Sequence, residues 1–256
     1  MIRIAITTSI LAMALASPAP ASTIAFDDAS DPVYDDGWDD GDDGGSGWLG
    51  GWTGLAGAGF VATSTINGNG DDDMDGDIDT GGRAWAITLS TASVPSNILR
   101  RLDGPLEIGQ TVTVKMDHDA VPDPGRIGMR LTSSSGEQRF ALLWFGSSQD
   151  YFALGAGFEA MNVPYTDEGL TIVFHLTGVD SFSVDLTPIG GSTTTVSASL
   201  GSGIDITNLL LQSSSSGTAE TFFFNSIAVP EPGSDASAAA ALATLMFVAR
   251  KRLASA

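Results

Sequence analysis

A run of aspartates in the first third of the chain is the arrangement best suited to binding chemistry. Alternate positions carry aspartate, and Gly76 follows the third of them. This order matches the opening of a calcium loop, in which alternate carboxylates converge on one ion and the glycine permits a sharp turn. The sequence therefore predicts a calcium site. Its ligands are Asp71, Asp73, Asp75, Asp77 and Asp79.

This loop is not an EF-hand, because its twelfth position is Gly82 rather than glutamate and no helices are evident on either side. Six carboxylates within nine residues repel one another, and this crowding favours a bound cation. The alternative is a solvated acidic loop that keeps the protein soluble. The paired aspartates of residues 35–43 lack the alternating spacing and make a weaker metal site.

Catalytic motifs are sparse. The chain has no G-x-S-x-G, H-E-x-x-H or P-loop pattern, and residues 155–160 match a dinucleotide fingerprint without the helix it requires. His118 falls in a predicted loop, and His175 in an apolar strand is interpreted as structural. A glycosidase needs only two carboxylates, and Glu159 and Glu168, both in predicted loops, are the nearest options. We therefore expect no enzymatic activity, with a glycan-active hydrolase as the least favoured alternative.

Three tryptophans, Trp38, Trp48 and Trp52, lie in an acidic, glycine-rich segment. If they are exposed beside calcium-fixed loops, their rings would contact a glycan. The alternative, which we favour, is that the rings are ordinary core anchors.

From residue 83 onward the chain consists of short apolar or alternating runs separated by turn residues. Alternation, as in 111–114 and 181–186, is typical of a half-buried strand, whereas continuously apolar runs suit the centre of a sheet. The predicted strands are 84–89, 111–116, 126–132, 139–145, 170–176, 181–187, 193–200, 207–212 and 220–229.

Hairpin turns at 133–137, 177–180 and 188–192 join successive strands. No run of helical character separates them, so we predict an all-β, antiparallel β-sandwich of jelly-roll type. Residues 26–60 are too acidic and glycine-rich for a regular element. We expect them to form an ordered loop pinned by its aromatic rings, ending in an edge strand within 52–63.

The first 21 residues have the features of a secretory signal peptide. Arg3 supplies a positive start, residues 4–16 are almost wholly apolar, and Ala19-Pro20-Ala21 provides the small residues that signal peptidase reads. We predict a signal helix that is cleaved after Ala21.

The last 28 residues combine a short rigid motif, an apolar run at 236–249 and a basic end. The motif residues are Val229, Pro230, Glu231 and Pro232, and the basic residues are Arg250, Lys251 and Arg252. As a helix the apolar run would cover about 21 Å of a bilayer core of about 30 Å, which makes it a marginal transmembrane helix. This order resembles the PEP-CTERM sorting signal of bacterial surface and exopolysaccharide-associated proteins. The resemblance implies cleavage near the motif by the membrane protease exosortase.

The predicted domains are the signal peptide at 1–21, one β-domain at 22–229 and the sorting signal at 230–256. The β-domain holds 29 acidic and 7 basic residues, so it repels nucleic acid and anionic lipid and attracts divalent cations. The chain has no cysteine, which excludes disulfides, thiolate metal sites and cysteine nucleophiles.

The acidic aromatic segment and residues 76–85 together resemble uncharacterised sandwich domains that often precede PEP-CTERM tags. No activity can be transferred from them. We therefore predict an exported, non-enzymatic structural or adhesive protein, anchored in the inner membrane as a precursor and delivered to the cell surface or extracellular matrix. Expected partners are signal peptidase, exosortase and extracellular polysaccharide, with calcium as a stabilising ion. A carbohydrate-binding, lectin-like module is the main alternative.

Overall fold

Fourteen β-strands and one 3-10 turn form the regular structure of the described residues. A computed structural model of the chain describes residues 23–55, 59–62, 78–88, 96–118, 121–166, 168–201, 205–214 and 221–230. The first seven strands are β1 (Thr23–Asp27), β2 (Gly59–Ala62), β3 (Ala84–Thr88), β4 (Ser96–Arg101), β5 (Thr111–His118), β6 (Arg126–Thr132) and β7 (Gln138–Phe145). The other seven are β8 (Asp150–Leu154), β9 (Phe158–Pro164), β10 (Leu170–Gly178), β11 (Ser181–Pro188), β12 (Thr194–Ser199), β13 (Asn208–Ser214) and β14 (Thr221–Pro230). The 3-10 turn is Pro32–Tyr34.

The strands make two antiparallel sheets with one hydrophobic core between them. The eight-stranded sheet has the order β12-β11-β10-β5-β14-β3-β2, and β1 also pairs with β14. The six-stranded sheet has the order β4-β13-β6-β7-β8-β9. Met129 and Leu142 from the six-stranded sheet and Val114 and Phe174 from the eight-stranded sheet belong to the same buried cluster. The predicted antiparallel β-sandwich is confirmed, and its jelly-roll type stays a prediction.

Sequence periodicity located most of the strands. The predicted strand 126–132 coincides with β6, and eight others match β3, β5, β7 and β10 to β14 within two residues at either end. The pattern missed β1, β4, β8 and β9, two of which end the six-stranded sheet. Glu159, predicted in a loop, lies in β9, and His118, also predicted in a loop, is the last residue of β5. The two predicted flanking helices, in residues 1–21 and 236–249, lie outside the described residues.

Strand β14 changes partner halfway along its length. Its first half pairs with β3 and its second half with β1, and Ser226, with φ 50°, lies at the bulge between them. The buried amide of Asn225 donates to the carbonyl oxygens of Ile78 and Arg83, both at 2.8 Å, and accepts from the N–H of Ala29 at 3.0 Å. These bonds satisfy backbone groups outside the regular ladder and fasten two chain segments, the turn at 78–83 and the segment around Ala29, to β14.

The acidic segment 26–55 forms the wrapping loop expected from its composition. Tyr34, Trp38 and Trp52 bury their rings around Trp85 of β3, at centroid distances of 5.5, 5.8 and 5.2 Å. Aromatic burial of this size offsets the cost of ordering a glycine-rich segment. The described part of the predicted edge strand, β2, lies at the end of the eight-stranded sheet.

Candidate functional site

The predicted calcium loop is only partly described. Asp71, Asp73, Asp75 and Asp77 lie outside the described residues. Asp79 is half-buried next to Ile78, whose side chain packs on Phe223 at the outer face of the eight-stranded sheet. Within the described ranges, no group of three or more histidine, aspartate or glutamate side chains is placed to hold a metal ion. Calcium binding therefore stays a prediction.

The three tryptophans proposed as glycan contacts differ in accessibility. The exposed fraction is 1% for Trp38 and 0% for Trp52, so neither ring reaches a ligand in this conformation. Trp48 is half-buried, and its indole N–H donates to the carbonyl oxygen of Phe26 at 3.1 Å. Trp48 and Trp52 both pack against the guanidinium of Arg100, 5.4 Å from each ring centroid. Two of the three rings thus act as core anchors.

Arg100, on the inner face of β4, holds the wrapping loop in place. Its guanidinium donates to the carbonyl oxygens of Asp42 and Gly44 at 3.0 and 2.7 Å and to the Asp43 carboxylate at 3.0 Å. It lies 3.4 Å from the buried carboxylate of Asp27. A fully buried cation requires such partners, because an unpaired charge in the core is strongly destabilising.

The carboxyl of Asp27 has an unusual proton affinity. Burial raises its pKa to about 7, and this effect outweighs the opposing contributions of the Tyr34 hydroxyl and Arg100. The Tyr34 hydroxyl donates to Asp27 at 2.7 Å, and the Trp52 indole N–H donates to the Tyr34 oxygen at 3.0 Å. The cluster stands inside the sandwich and is structural rather than a binding site.

The two histidines are separated by position and environment. His118 is fully buried, and its Nε2 lies 2.8 Å from the hydroxyl of Tyr151. His175, on β10, is half-buried on the outer face of the eight-stranded sheet, where its Nε2 lies 3.0 Å from the Asp185 carboxylate. Thr195 donates to the other oxygen of Asp185 at 2.5 Å. The interpretation of His175 as a paired strand histidine agrees with this geometry.

The predicted sorting motif begins inside the folded domain. Val229 is fully buried, and Pro230 pairs with Thr23 of β1. The remaining sorting residues, Glu231, Pro232, Arg250, Lys251 and Arg252, fall outside the described residues. Within the part of the chain that the structure describes, no helix has the length and apolarity needed to cross a membrane.

The outer face of the six-stranded sheet carries charged, polar and aromatic side chains that the sequence analysis did not single out. Register places Gln212, Gly128 and Leu143 side by side across β13, β6 and β7. Arg126 and Arg130 flank Gly128 on the same face, opposite the core residues of β6. We call this surface the arginine face. It comprises Asn97, Leu99, Arg101, Arg126, Gly128, Arg130, Leu143, Phe145, Phe152, Phe158, Leu210 and Gln212.

Gly128 marks the middle of the arginine face. A Cβ there would lie 1.9 Å from the carbonyl oxygen of Leu142, and the residue has φ 153°, so only glycine fits. The space between Arg126 and Arg130 is therefore free of a side chain from β6 itself. Gln212, beside it, is 1% exposed, and its Oε1 has no hydrogen-bond partner.

The arginines of this face have no acidic partner among the described residues. Arg83, Arg100 and Arg139 each pair with aspartate elsewhere, whereas Arg101, Arg126 and Arg130 form no ion pair with a described residue. The Nε atoms of Arg126 and Arg130 are shielded from solvent and have no hydrogen-bond partner. Burial lowers the pKa of Arg130, and the charge of Arg126 lowers it further, which indicates that the two cations repel each other.

One edge of the arginine face is an aromatic shelf made of Phe145, Phe152 and Phe158. The rings of Phe152 and Phe158 are 4.4 Å apart between centroids, and Phe145 is 5.9 Å from each. Phe158 is 55% exposed. Phe145 pairs across the strands with Arg126, so the shelf adjoins the arginine pair.

The opposite edge of the arginine face is a groove of about 560 Å³. It is lined by Leu99, Arg101, Asn208 and Leu210 of β4 and β13 and by residues 102–105 and 134–136, which include Asp103. Leu210 pairs across the strands with Arg130, which makes the groove continuous with the arginine pair. The groove, the arginine pair and the aromatic shelf together form one continuous surface across six strands. This surface has both polar and apolar parts.

A signal for this face was present in the sequence of β6. Arginines four residues apart in a strand point to the same side, and Ile127, Met129 and Leu131 between them define the opposite side. The pattern identifies paired outward arginines. It does not show that carboxylates are absent around them, since that depends on β7, β8 and β13.

No protein-family model matches the chain, and no curated protein matches it either. Among solved structures, a sialidase is similar over 59% of this chain and 16% of its own, with 8% identity and a TM-score of 0.48. A carbohydrate esterase of the Shiga toxin-encoding bacteriophage phi24B is similar over 82% of this chain and 98% of its own, with 15% identity and a TM-score of 0.48. Alginate lyase AlyC3 is similar over 59% and 76%, with 8% identity and a TM-score of 0.42. The chain thus spans about a sixth of the sialidase.

These comparisons correct the prediction about enzymatic activity. The prediction of a non-enzymatic protein is contradicted: the sialidase, the carbohydrate esterase and the alginate lyase are named as glycan-active enzymes. The prediction drew on missing motifs, and a sandwich needs only a few correctly placed side chains from distant strands to catalyse a reaction. The similarity to these three structures is a similarity of fold only.

Proposed function

We propose that the protein recognises a carbohydrate on the arginine face. The observation that carries this proposal is the joining of an aromatic shelf, three arginines without an ion pair to a described residue and an open groove on one sheet surface. The surface crosses five inter-strand spacings of about 4.8 Å, or roughly 24 Å, which accommodates several sugar rings in line.

The side chains fit the two kinds of surface that a sugar ring presents. The C–H face of a sugar ring is apolar and packs on aromatic rings such as Phe158 and Phe152. Hydroxyl groups at the ring edge require hydrogen-bond partners, and the exposed guanidinium of Arg101 is a donor for them.

Loss of the exposed shelf ring tests this proposal. We expect Phe158→Ala to weaken polysaccharide binding about tenfold in affinity electrophoresis, because one stacked ring is removed. Val179, 67% exposed in the β10–β11 turn, provides the matched control, and Val179→Ala should bind like the parent protein. Equal binding by the parent and Phe158→Ala, or no binding to any acidic or neutral polysaccharide, would overturn the proposal. Released reducing ends in the same mixtures decide whether the protein also cleaves its ligand.

We propose further that the chain is exported and processed at both ends, as its terminal segments indicate. The described sandwich begins at Thr23 and ends at Pro230, close to the predicted junctions after Ala21 and at the Pro-Glu-Pro motif. Exosortase and signal peptidase are the expected partners. Intact mass of the protein recovered from the cell exterior tests this, and a full-length chain in the cytosol contradicts it.

Calcium remains our proposal for the aspartate loop. We expect calcium to raise the melting temperature of the parent protein and to leave a variant with Asp73→Asn and Asp75→Asn unchanged, because alternate carboxylates are required to surround the ion. A matched Asp180→Asn variant, in the β10–β11 turn, should keep the response. An equal response in all three proteins would show non-specific screening.

A further inference from the structure

The arginine face is unusual in a protein with this charge. Residues 22–229 contain 29 acidic side chains and only 7 basic ones, so carboxylates are abundant enough to pair with every cation. Three basic side chains nevertheless lie on one face without an ion pair to a described residue: Arg101, Arg126 and Arg130. Elsewhere, Arg83, Arg100 and Arg139 each form an ion pair with an aspartate.

The local geometry suits an anion rather than a neutral partner. Arg126 and Arg130 point to the same side of β6, with the side-chain-free Gly128 between them. Two like charges held near each other without a counter-ion are destabilising, and a carboxylate between them would relieve the repulsion. The guanidinium group is planar and offers paired N–H donors that match a carboxylate.

We propose that the ligand of the arginine face is an acidic polysaccharide whose carboxylates bind Arg126 and Arg130, with Arg101 contacting the same chain in the groove. This rests on the proposed function and names the chemical class of its glycan. The protein as a whole repels polyanions, so recognition depends on this local cluster. The phenylalanine shelf then contacts the apolar face of the sugar next to the bound carboxylate.

The experiment compares one polysaccharide in two charge states. Polygalacturonate and its fully methyl-esterified form share a backbone and differ in carboxylate charge. We expect the full chain to bind the free acid at least about tenfold more tightly than the ester, with an affinity that falls as salt rises. Binding is measured in EDTA, so that calcium cannot bridge protein and glycan carboxylates.

Matched variants connect the preference to the two arginines. The double variant Arg126→Gln and Arg130→Gln should lose the preference for the free acid, whereas Lys115→Gln, on the outer face of the eight-stranded sheet, should keep it. Melting temperatures establish that both variants fold. If the double variant does not fold, Arg101→Gln is expected to reduce the preference partially.

Four other outcomes of the binding experiment would contradict or change the proposal. Equal binding of acid and ester would overturn this inference and leave glycan recognition standing. Preference that survives in the double variant would also overturn it, because the arginines would then not be its cause. Stronger binding of dextran sulfate than of any carboxylated chain would replace carboxylates with sulfates as the ligand group. Absence of binding to every polysaccharide would overturn the proposed function itself.

Discussion

The two faces of the six-stranded sheet place adjacent arginines in opposite environments. Arg100 and Arg101 are neighbours at the end of β4, and strand alternation sends one into the core and the other to the surface. Arg100 is fully buried and is bonded to four residues of the wrapping loop and β1. Arg101 lines a groove and forms no ion pair with the described residues.

The difference separates charges that stabilise the fold from charges available to a ligand. A buried guanidinium has to be paired, so the partners of Arg100 follow from its burial. A surface guanidinium has no such requirement, and most surface pairs contribute little to stability. The pairing of Arg100 therefore concerns folding, whereas Arg101, Arg126 and Arg130, which form no ion pair with a described residue, carry charge that the fold does not require.

The largest effect is expected at Arg100. Arg100→Ala should lower the free energy of unfolding by about 3–5 kcal/mol, because it leaves the buried carboxylate of Asp27 and two loop carbonyls without their partner. The adjacent Arg101→Ala should change it by no more than about 0.5 kcal/mol. Urea unfolding of both variants measures this. Similar losses in the two would show that the faces do not differ as described.

The pH dependence of the free energy of unfolding tests the raised pKa of Asp27. The unfolded chain releases this proton near the ordinary pKa of 3.8, whereas the folded protein holds it until about 7. The raised pKa therefore contributes stability that is complete below the unfolded value and is lost as pH rises through about 7. Asp27→Asn, which cannot ionise, should flatten this decline in urea unfolding between pH values of about 4 and 8. Parallel curves for parent and variant would mean that Asp27 is ionised throughout.

The smallest effect is expected on the outer face of the eight-stranded sheet. Nε2 of His175 lies 3.0 Å from the Asp185 carboxylate there, and the two side chains are 33% and 29% exposed. His175→Ala should cost less than about 1 kcal/mol, since solvent screens such pairs. It should leave polysaccharide binding unchanged. Loss of binding in this variant would move the candidate site to the other sheet.

Predicting the fold from the sequence succeeded where one side of a strand faces the core and the other faces solvent. β11 alternates serine, aspartate and threonine with Phe182, Val184 and Leu186, and its bounds were predicted to within one residue. β9 has no such pattern, because Phe158 lies on its outer face and Glu159 is exposed at the edge of the sheet. Strands that present apolar residues to both sides, or lie at an edge, give no clear period.

The candidate site was harder to predict than the fold. The aspartate loop drew attention because its ligands are close in sequence, whereas the arginine face collects residues from six strands between positions 97 and 212. The buried state of Trp38 and Trp52 likewise depends on Trp85 and Arg100, which are remote in sequence. Spacing along a chain shows only those sites that a single segment forms.

Composition and periodicity by themselves determined the all-β class, the excess of acidic charge and the positions of most strands, because these follow from local alternation and simple counts. Tertiary structure alone decided which arginines are paired. That outcome depends on strand order: pairing of β4 with β13, and of β13 with β6, brings Arg101 and Arg130 to one surface, while the wrapping loop encloses Arg100. Strand order is set by long-range packing of the core, which no local segment encodes.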